Sequence, residues 1–291
     1  MWVLLFNPSS GGGKGRQVAS QVSNLLHSEN HEVIEVVGVD FEDAQRKFNT
    51  IINEHRSQID AVAVVGGDGM INLAIQKLAH SAIPLALIPA GTGNDFARSL
   101  NLDLENPVEN LKTYFSTSPV YVDLGRAKGR FFADILSTGF DSIVNERANR
   151  MKFIQGRKKY NIAIILELST FKPKSYRFRI DGVEFTTEAM LIAISNGQSY
   201  GGGMKVTPDA QLDDGLFDVM ILGPVSKIEF LKVFPKVFSG SHTKHPAVKI
   251  LRGTTITIEA DAIAYADGER MGELPVTAEI VPSSLLTWRN T

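Results

Sequence analysis

The 291-residue chain contains no cysteine, which excludes disulfides, thiol catalysis and cysteine-ligated zinc or iron–sulfur sites. Its formal net charge is only −2, which argues against nucleic acid as a bulk partner. Nowhere do the roughly eighteen apolar residues needed for a bilayer span run together. The opening Met1-Trp-Val-Leu-Leu-Phe-Asn-Pro8 has no basic n-region, and its apolar run is too short for a signal peptide. The expectation is a cytoplasmic protein. Neither internal repeats nor low-complexity tracts are visible.

What the chain does contain is organised around Asp60-Ala-Val-Ala-Val-Val-Gly-Gly-Asp-Gly-Met70. Ala61 to Val65 read as a central strand buried on both faces. Gly66, Gly67 and Gly69 follow, with Asp68 among them, and the apolar residues from Met70 to Ala79 then recur at helical spacing. In α/β proteins a strand entering a glycine turn and a helix is a phosphate-binding arrangement, because glycine admits the ligand and the helix start offers free N–H groups. A carboxylate in an anion site makes sense if a metal ion lies between it and the phosphates. The plainer alternative is a tight turn whose Asp caps the helix.

The same grammar recurs along the first third of the chain. Trp2 to Phe6 reads as a strand, and Ser9-Ser-Gly-Gly-Gly-Lys-Gly-Arg16 as a glycine loop with two cations, leading into a helix through about Ser28. The loop lacks P-loop spacing, yet Lys14 and Arg16 could close over phosphates. His31 to Val39 is a predicted strand and Phe41 to Arg56 a helix. Ile83 to Pro89 is another strand, entering Ala90-Gly-Thr-Gly-Asn-Asp-Phe-Ala-Arg98, a second glycine turn carrying an acid, Asp95. Alternating strands and helices predict a three-layer parallel α/β domain with ligands at the carboxyl ends of its strands. Both glycine–Asp turns fall at that edge.

After the helix predicted over Pro107 to Ser118 the texture changes to short strands separated by turns. These are Val120–Gly125, Arg130–Leu136, Ser175–Ile180, Val183–Thr187, Ala189–Ser195, Phe217–Leu222, Val248–Leu251, Thr254–Glu259, Ile263–Ala266 and Thr277–Val281. They predict an antiparallel β-sandwich, interrupted by helical segments between Asp141 and Phe171. From Arg147 to Arg179 ten Lys or Arg stand against one acid, Glu167, which leaves the rest of the chain at −11. With the apolar run Ile162 to Leu166, this basic 147–179 segment suggests peripheral contact with an anionic membrane; the alternative is a solvated basic helix.

Asn7-Pro-Ser-Ser-Gly11, Gly66-Gly-Asp-Gly69, Pro89-Ala-Gly-Thr-Gly-Asn-Asp95, Asn196-Gly197, Pro208 to Asp218 and Asp267-Gly-Glu269 occur in the order seen in the diacylglycerol-kinase catalytic family. The chain resembles its compact bacterial lipid kinases along essentially its whole length. Gly-Gly-Asp-Gly is shared with NAD kinases and phosphofructokinases; Pro-x-Gly-Thr-x-Asn-Asp is far more specific. The resemblance implies an α/β nucleotide-binding domain over 1–121, rejoined by about 284–291, a β-sandwich lipid-substrate domain over 122–283, and a cleft between them. It departs from the family at Met70, where Thr is usual, and near Val39-Asp40, where many members carry a Thr that contacts nucleotide.

The resemblance also assigns roles. Asn7, Lys14, Arg16, Gly66, Gly67, Asp68, Gly69, Met70, Asn72, Gly91, Thr92, Asn94, Arg98 and, more loosely, Lys158 would bind ATP. Asp68, Asp95 and Asp123 would hold Mg²⁺ through water, Glu269 would be the general base, and Asp267 would support it. Asp214, with carbonyls near Gln211 and Leu216, would hold a second, structural Mg²⁺. The implied activity is transfer of the ATP γ-phosphate to a lipid hydroxyl in phospholipid metabolism, with diacylglycerol or a related lipid as substrate. A homodimer is left open. The alternatives are a NAD-type small-molecule kinase and a nucleotide- or lipid-binding protein without turnover, the latter motivated by Met70.

Overall fold

The computed structural model describes residues 1–151 and 157–290. By its internal contacts the chain forms two units. The first comprises Met1–Leu124, Gly201–Gly203 and Pro282–Thr291; the second comprises Gly125–Tyr200 and Met204–Val281.

In the first unit the elements are β1 (Trp2–Phe6), α1 (Ser10–Ser28), β2 (Val33–Val36), α2 (Phe41–His55), β3 (Ala61–Gly66), α3 (Asp68–Leu78), β4 (Leu85–Pro89), α4 (Asp95–Ser99) and α5 (Pro107–Ser116). The strands pair in the order β2-β1-β3-β4, all parallel, with Trp2 opposite Ala61 and Val62 opposite Leu85. Every residue of β1, β3 and β4 is buried, as unbroken apolar runs covered by helices on both faces require. Parallel pairing sends each strand's carboxyl end to one edge, so the turns after β1, β3 and β4 share it. The predicted strand over His31 to Val39 is only Val33–Val36. Asp40 caps α2 instead, accepting the Asp43 N–H at 2.8 Å. The chain's end packs here too: Trp288 stacks on Tyr114 at 4.9 Å and donates its indole N–H to the Thr117 carbonyl.

The remaining elements are β5 (Val120–Ala127), β6 (Arg130–Phe132), β7 (Ile135–Gly139), α6 (Phe140–Arg150), α7 (Arg157–Thr170), β8 (Lys174–Ile180), β9 (Val183–Ala189), β10 (Leu191–Ser195), β11 (Phe217–Leu222), α8 (Lys227–Val233), β12 (Val248–Gly253), β13 (Thr255–Glu259), β14 (Ile263–Ala266), β15 (Glu269–Glu273) and β16 (Val276–Thr287). In the second unit an antiparallel sheet runs β12-β11-β10-β7-β14-β15. A second layer pairs β8 with β9 and with β13, and β13 with β16, again antiparallel. The period-two alternation of β-strands sorts the core. Ile192, Ile194, Phe217, Val219 and Ile221 face the second layer, meeting Tyr176, Phe178, Ile256 and Ile258. Ala193, Met220 and Leu222 turn the other way, against Phe140, Val144 and Phe230 of the helices. The fold is therefore an N-terminal three-layer α/β domain with a C-terminal antiparallel sandwich.

The single strand expected over Arg130–Leu136 is split at Ala133-Asp134. Ala133, Asp134 and Ile135 give their N–H groups to the Asp267 carboxylate rather than to a neighbouring strand.

Candidate active site

The two glycine–Asp turns of the first unit touch. A Cβ on Gly67 would lie 3.0 Å from Gly91 Cα, and one on Gly91 would run into Gly67 Cα, so neither position admits a side chain. The turns are also bonded: Asp68 Oδ1 accepts the Asp95 N–H at 2.9 Å. Asn94 holds the second turn in shape from a left-handed φ of 55°, accepting from Gly91 N–H at 2.9 Å and donating to Gly91 O at 3.1 Å. Thr92 and Gly69 are exposed at the tips, whereas Asn72 is buried on α3.

Two carboxylates face one point. A Cβ on Gly93 would clash with Asp68 Oδ2 and come within 3.3 Å of Asp95 Oδ2. Asp95 is buried and already accepts from the N–H of Gly202 at 2.9 Å and of Gly203 at 2.8 Å. Arg98 lies alongside, with a buried Nε that has no hydrogen-bond partner; a Cβ on Gly203 would sit 3.3 Å from it. No group of three or more possible metal-ligating His, Cys, Asp or Glu occurs among the described residues. Two converging carboxylates nevertheless suit Mg²⁺, which takes few protein oxygens and completes its shell with water and phosphate. Arg98 Nη2 reaches the Gly93 carbonyl at 3.5 Å, and the remaining donors of the guanidinium suit a phosphate oxygen.

The other sequence-predicted residues of this unit fall as follows. Asp123 is buried and accepts the Ser283 N–H at 2.7 Å. Asn7 ties its own loop, accepting from Ser9 N–H at 3.0 Å and Ser9 Oγ at 2.8 Å. Lys14 and Arg16 are exposed and bear no ion pair among the described residues, on a loop whose Gly11, Gly12 and Gly13 have φ of 57°, 74° and 101°. Met70 is buried against Gly66, and its N–H donates to the Gly67 carbonyl at 2.9 Å. Its side chain therefore fills core where a Thr hydroxyl would have faced the turn. The Lys158 side chain lies outside what the structure describes.

In the second unit the Asp267-Gly-Glu269 turn separates its two acids by environment. Asp267, at a φ of 47°, accepts three backbone N–H groups: Ala133 at 2.6 Å, Asp134 at 3.1 Å and Ile135 at 3.0 Å. Glu269 is exposed and has no hydrogen-bond or ion-pair partner among the described residues. Chemically, Asp267 is a turn anchor and Glu269 a carboxylate with free lone pairs.

The acidic loop before β11 fits a structural metal poorly. Asp214 Oδ1 accepts the Leu216 N–H at 3.1 Å, and Oδ2 is ion-paired with Arg252. Arg252 stands directly opposite Asp218 in the β11–β12 register, its Nε 3.4 Å from Asp218 Oδ1. Burial pushes the Asp218 carboxyl up, and Arg252 opposes the shift. Gln211 is exposed. One guanidinium from the chain itself thus meets two of the four carboxylates over Asp209 to Asp218.

Three features escaped sequence reasoning. Gly202 and Gly203 could have been flagged by the run Gly201-Gly-Gly203, whose residues all take positive φ. Arg252 carried no local signal. Asp141, at the start of α6, was missed altogether: both its oxygens are buried without a well-formed hydrogen bond, and burial pushes its carboxyl up to about 6 despite the nearby Ser137 and Ser142.

A glycine edge on a parallel sheet, with acids at its turns, is the kind of place where α/β folds bind phosphate. Comparison with known proteins specifies it further. The diacylglycerol kinase catalytic domain matches residues 1–127, and the YegS C-terminal NAD kinase beta sandwich-like domain matches residues 134–288. A diacylglycerol kinase of Mycobacterium tuberculosis (strain ATCC 25618 / H37Rv) is 37% identical over 292 residues, covering 98% of this chain and 94% of its own. A diacylglycerol kinase of Bacillus subtilis (strain 168) is 29% identical over 223 residues, covering 75% of this chain and 74% of its own. A crystal structure of a diacylglycerol kinase from Bacillus anthracis str. Sterne shares the fold, with a TM-score of 0.74 at 22% identity over 99% of this chain and 96% of that one. The chain belongs to the diacylglycerol kinase family and is a kinase.

Proposed function

We propose that this protein is an ATP-dependent lipid kinase that transfers the γ-phosphate to a lipid hydroxyl, with diacylglycerol or a closely related lipid as acceptor. The observation that carries the reading is the junction of the two glycine turns, which brings the Asp68 and Asp95 carboxylates to one point beside Gly93. The exposed amides and small residues of those turns receive the phosphates, and the Arg98 guanidinium beside them neutralises a phosphate oxygen. Asp68 and Asp95 would hold Mg²⁺, which supplies charge neutralisation at the transferred phosphate. Glu269 takes the proton from the lipid hydroxyl as its oxygen bonds to the γ-phosphorus and the bond to ADP breaks. Asp267 positions Glu269 by fixing the turn. Lys14 and Arg16, just after the Gly11–Gly13 kink in α1, act as further phosphate neutralisers. No helix among the described residues is long and apolar enough to cross a membrane, and the enzyme meets its lipid peripherally.

The test is incubation with labelled ATP and Mg²⁺ against diacylglycerol, phosphatidylglycerol, a long-chain base and a polyprenol in mixed micelles. Label in one lipid product names the acceptor. Labelled NAD or another soluble acceptor with every lipid blank would overturn the lipid reading.

A further inference from the structure

The outward face of α8 and the turn that follows it is apolar, and no described residue covers it. Phe230 and Val237 are buried in the helical layer, with Phe234 packed beside them. Ile228, Leu231 and Phe238 are 70%, 54% and 53% exposed. Ile228 and Leu231 are three residues apart on one helix and so share a face. The surface continues onto α7, because Lys227 donates to the Ser169 carbonyl at that helix's end, and Ile162 and Leu166 of α7 are also exposed. Large apolar side chains grouped in this way mark a surface that is covered in use.

The charge around the face says by what. Between Ser226 and Lys249 the sequence places five lysines, at 227, 232, 236, 244 and 249, against one acid, Glu229. All five lysines are exposed. Glu229 is engaged locally, in the capping box with Ser226 and 3.2 Å from His245 Nε2. In the basic 147–179 segment singled out by composition, Lys152 and the side chains of Arg157, Lys158 and Lys159 lie outside what the structure describes. Of the rest, Arg147, Arg150, Arg177 and Arg179 are ion-paired with Glu167, Glu146, Glu259 and Glu184.

We infer that the α8 face is a membrane-docking surface: Ile228, Leu231 and Phe238 enter the headgroup–acyl boundary of an anionic bilayer while Lys232 and Lys236 contact its headgroups. A second copy of the chain is the poorer occupant, because self-association would press two lysine-collared faces together. The purpose of the surface rests on the reading of a lipid substrate, but vesicle binding is measured without nucleotide, so the two can fail separately.

The experiment floats the full chain with vesicles of phosphatidylcholine, with and without phosphatidylglycerol. Binding should appear with the anionic lipid and fall about fivefold for each lysine neutralised in Lys232→Gln and Lys236→Gln. The combined Ile228→Gln, Leu231→Gln and Phe238→Gln variant should lose at least tenfold while keeping its far-ultraviolet dichroism and its turnover of a water-soluble short-chain diacylglycerol. An Ile228→Trp variant, which needs no loss of fold, should be quenched by brominated acyl chains. Unchanged vesicle binding in the triple variant, no quenching of Trp at 228, or a concentration-dependent dimer that the triple variant abolishes would each overturn the proposal. A wild-type protein that binds vesicles yet phosphorylates no lipid would sink the kinase reading alone.

Discussion

Asp267 and Glu269 differ by one glycine in sequence, and their substitutions should separate stability from chemistry. In Asp267→Asn the backbone φ of 47° is still tolerated, because Asn enters the left-handed region as readily as Asp. The lost oxygen is what matters. Asn can keep the Asp134 and Ile135 N–H groups on its remaining oxygen, but its amide NH₂ then confronts the Ala133 N–H that now sits 2.6 Å from Oδ2. One charge-assisted bond, commonly 1.5–3 kcal/mol, becomes a donor–donor clash, and the other two lose their ionic partner. Because the site is only half-buried, solvent recovers part of this, leaving a cost of about 2 kcal/mol. For a unit of this size that lowers Tm by roughly 4–8 °C. Glu269→Gln removes nothing structural, so its Tm should stay within about 1–2 °C of wild type, while kcat falls roughly 10²–10⁴-fold with little change in ATP affinity. The assays are urea and thermal unfolding by circular dichroism, and steady-state kinetics on the acceptor lipid. If Asp267→Asn keeps its Tm but loses turnover while Glu269→Gln turns over normally, the proton acceptor is Asp267 and the reading of this turn is wrong.

Asp68→Asn keeps an acceptor for the Asp95 N–H and should fold normally while losing most turnover; near-normal kcat would reduce Asp68 to a link between turns. Arg252→Ala leaves Asp214 and the buried Asp218 without their cation, so it should destabilise by about 1–2 kcal/mol after discounting for Arg252's exposure. Millimolar Mg²⁺ should raise the Tm of that variant and not of wild type; equal protection of both by Mg²⁺ would show that the loop takes a metal alongside the arginine. Asp141 makes the second unit pH-sensitive. Its folded pKa of about 6 lies above the ordinary aspartate value of 3.8, so between those values the folded state holds a proton that the unfolded chain has released. Its contribution to stability therefore falls as pH rises through that window, by up to about 3 kcal/mol, and levels off above it. Asp141→Asn should flatten the difference between urea midpoints measured at about pH 5 and about pH 7, and an unchanged difference would refute the assignment.

The features that were legible in the sequence are those whose cause is local. A strand of five apolar residues, a glycine cluster and a 3.6-residue period lie within twenty residues of one another, so both Gly–Asp turns and their place at a sheet edge followed from Ala61–Met70 and Ile83–Arg98. The features that were not legible depend on partners far along the chain. Nothing near Ala133 announces that its N–H will meet Asp267, and so Arg130–Leu136 read as one strand. Nothing near Asp95 announces Gly202 and Gly203. Arg252 meets Asp218 only because β11 and β12 pair in one register, and a shift of one residue would turn its side chain to the opposite face of the sheet.

Met70 shows the same limit from the other side. A helix start after a glycine turn invites a polar residue, and its absence motivated the alternative of a binding protein without turnover. Met70 is instead directed into the core against Gly66, while the turn's shape is held by Asp68, Asn94 and the Gly67–Gly91 contact. The function of such a turn resides in its backbone path, and that path needs glycine at two positions and carboxamide or carboxylate at two others. A hydroxyl at position 70 contributes to none of those four requirements. A chain with methionine there can therefore keep the phosphate edge intact, which is why its departure from the family pattern bears on affinity before it bears on catalysis.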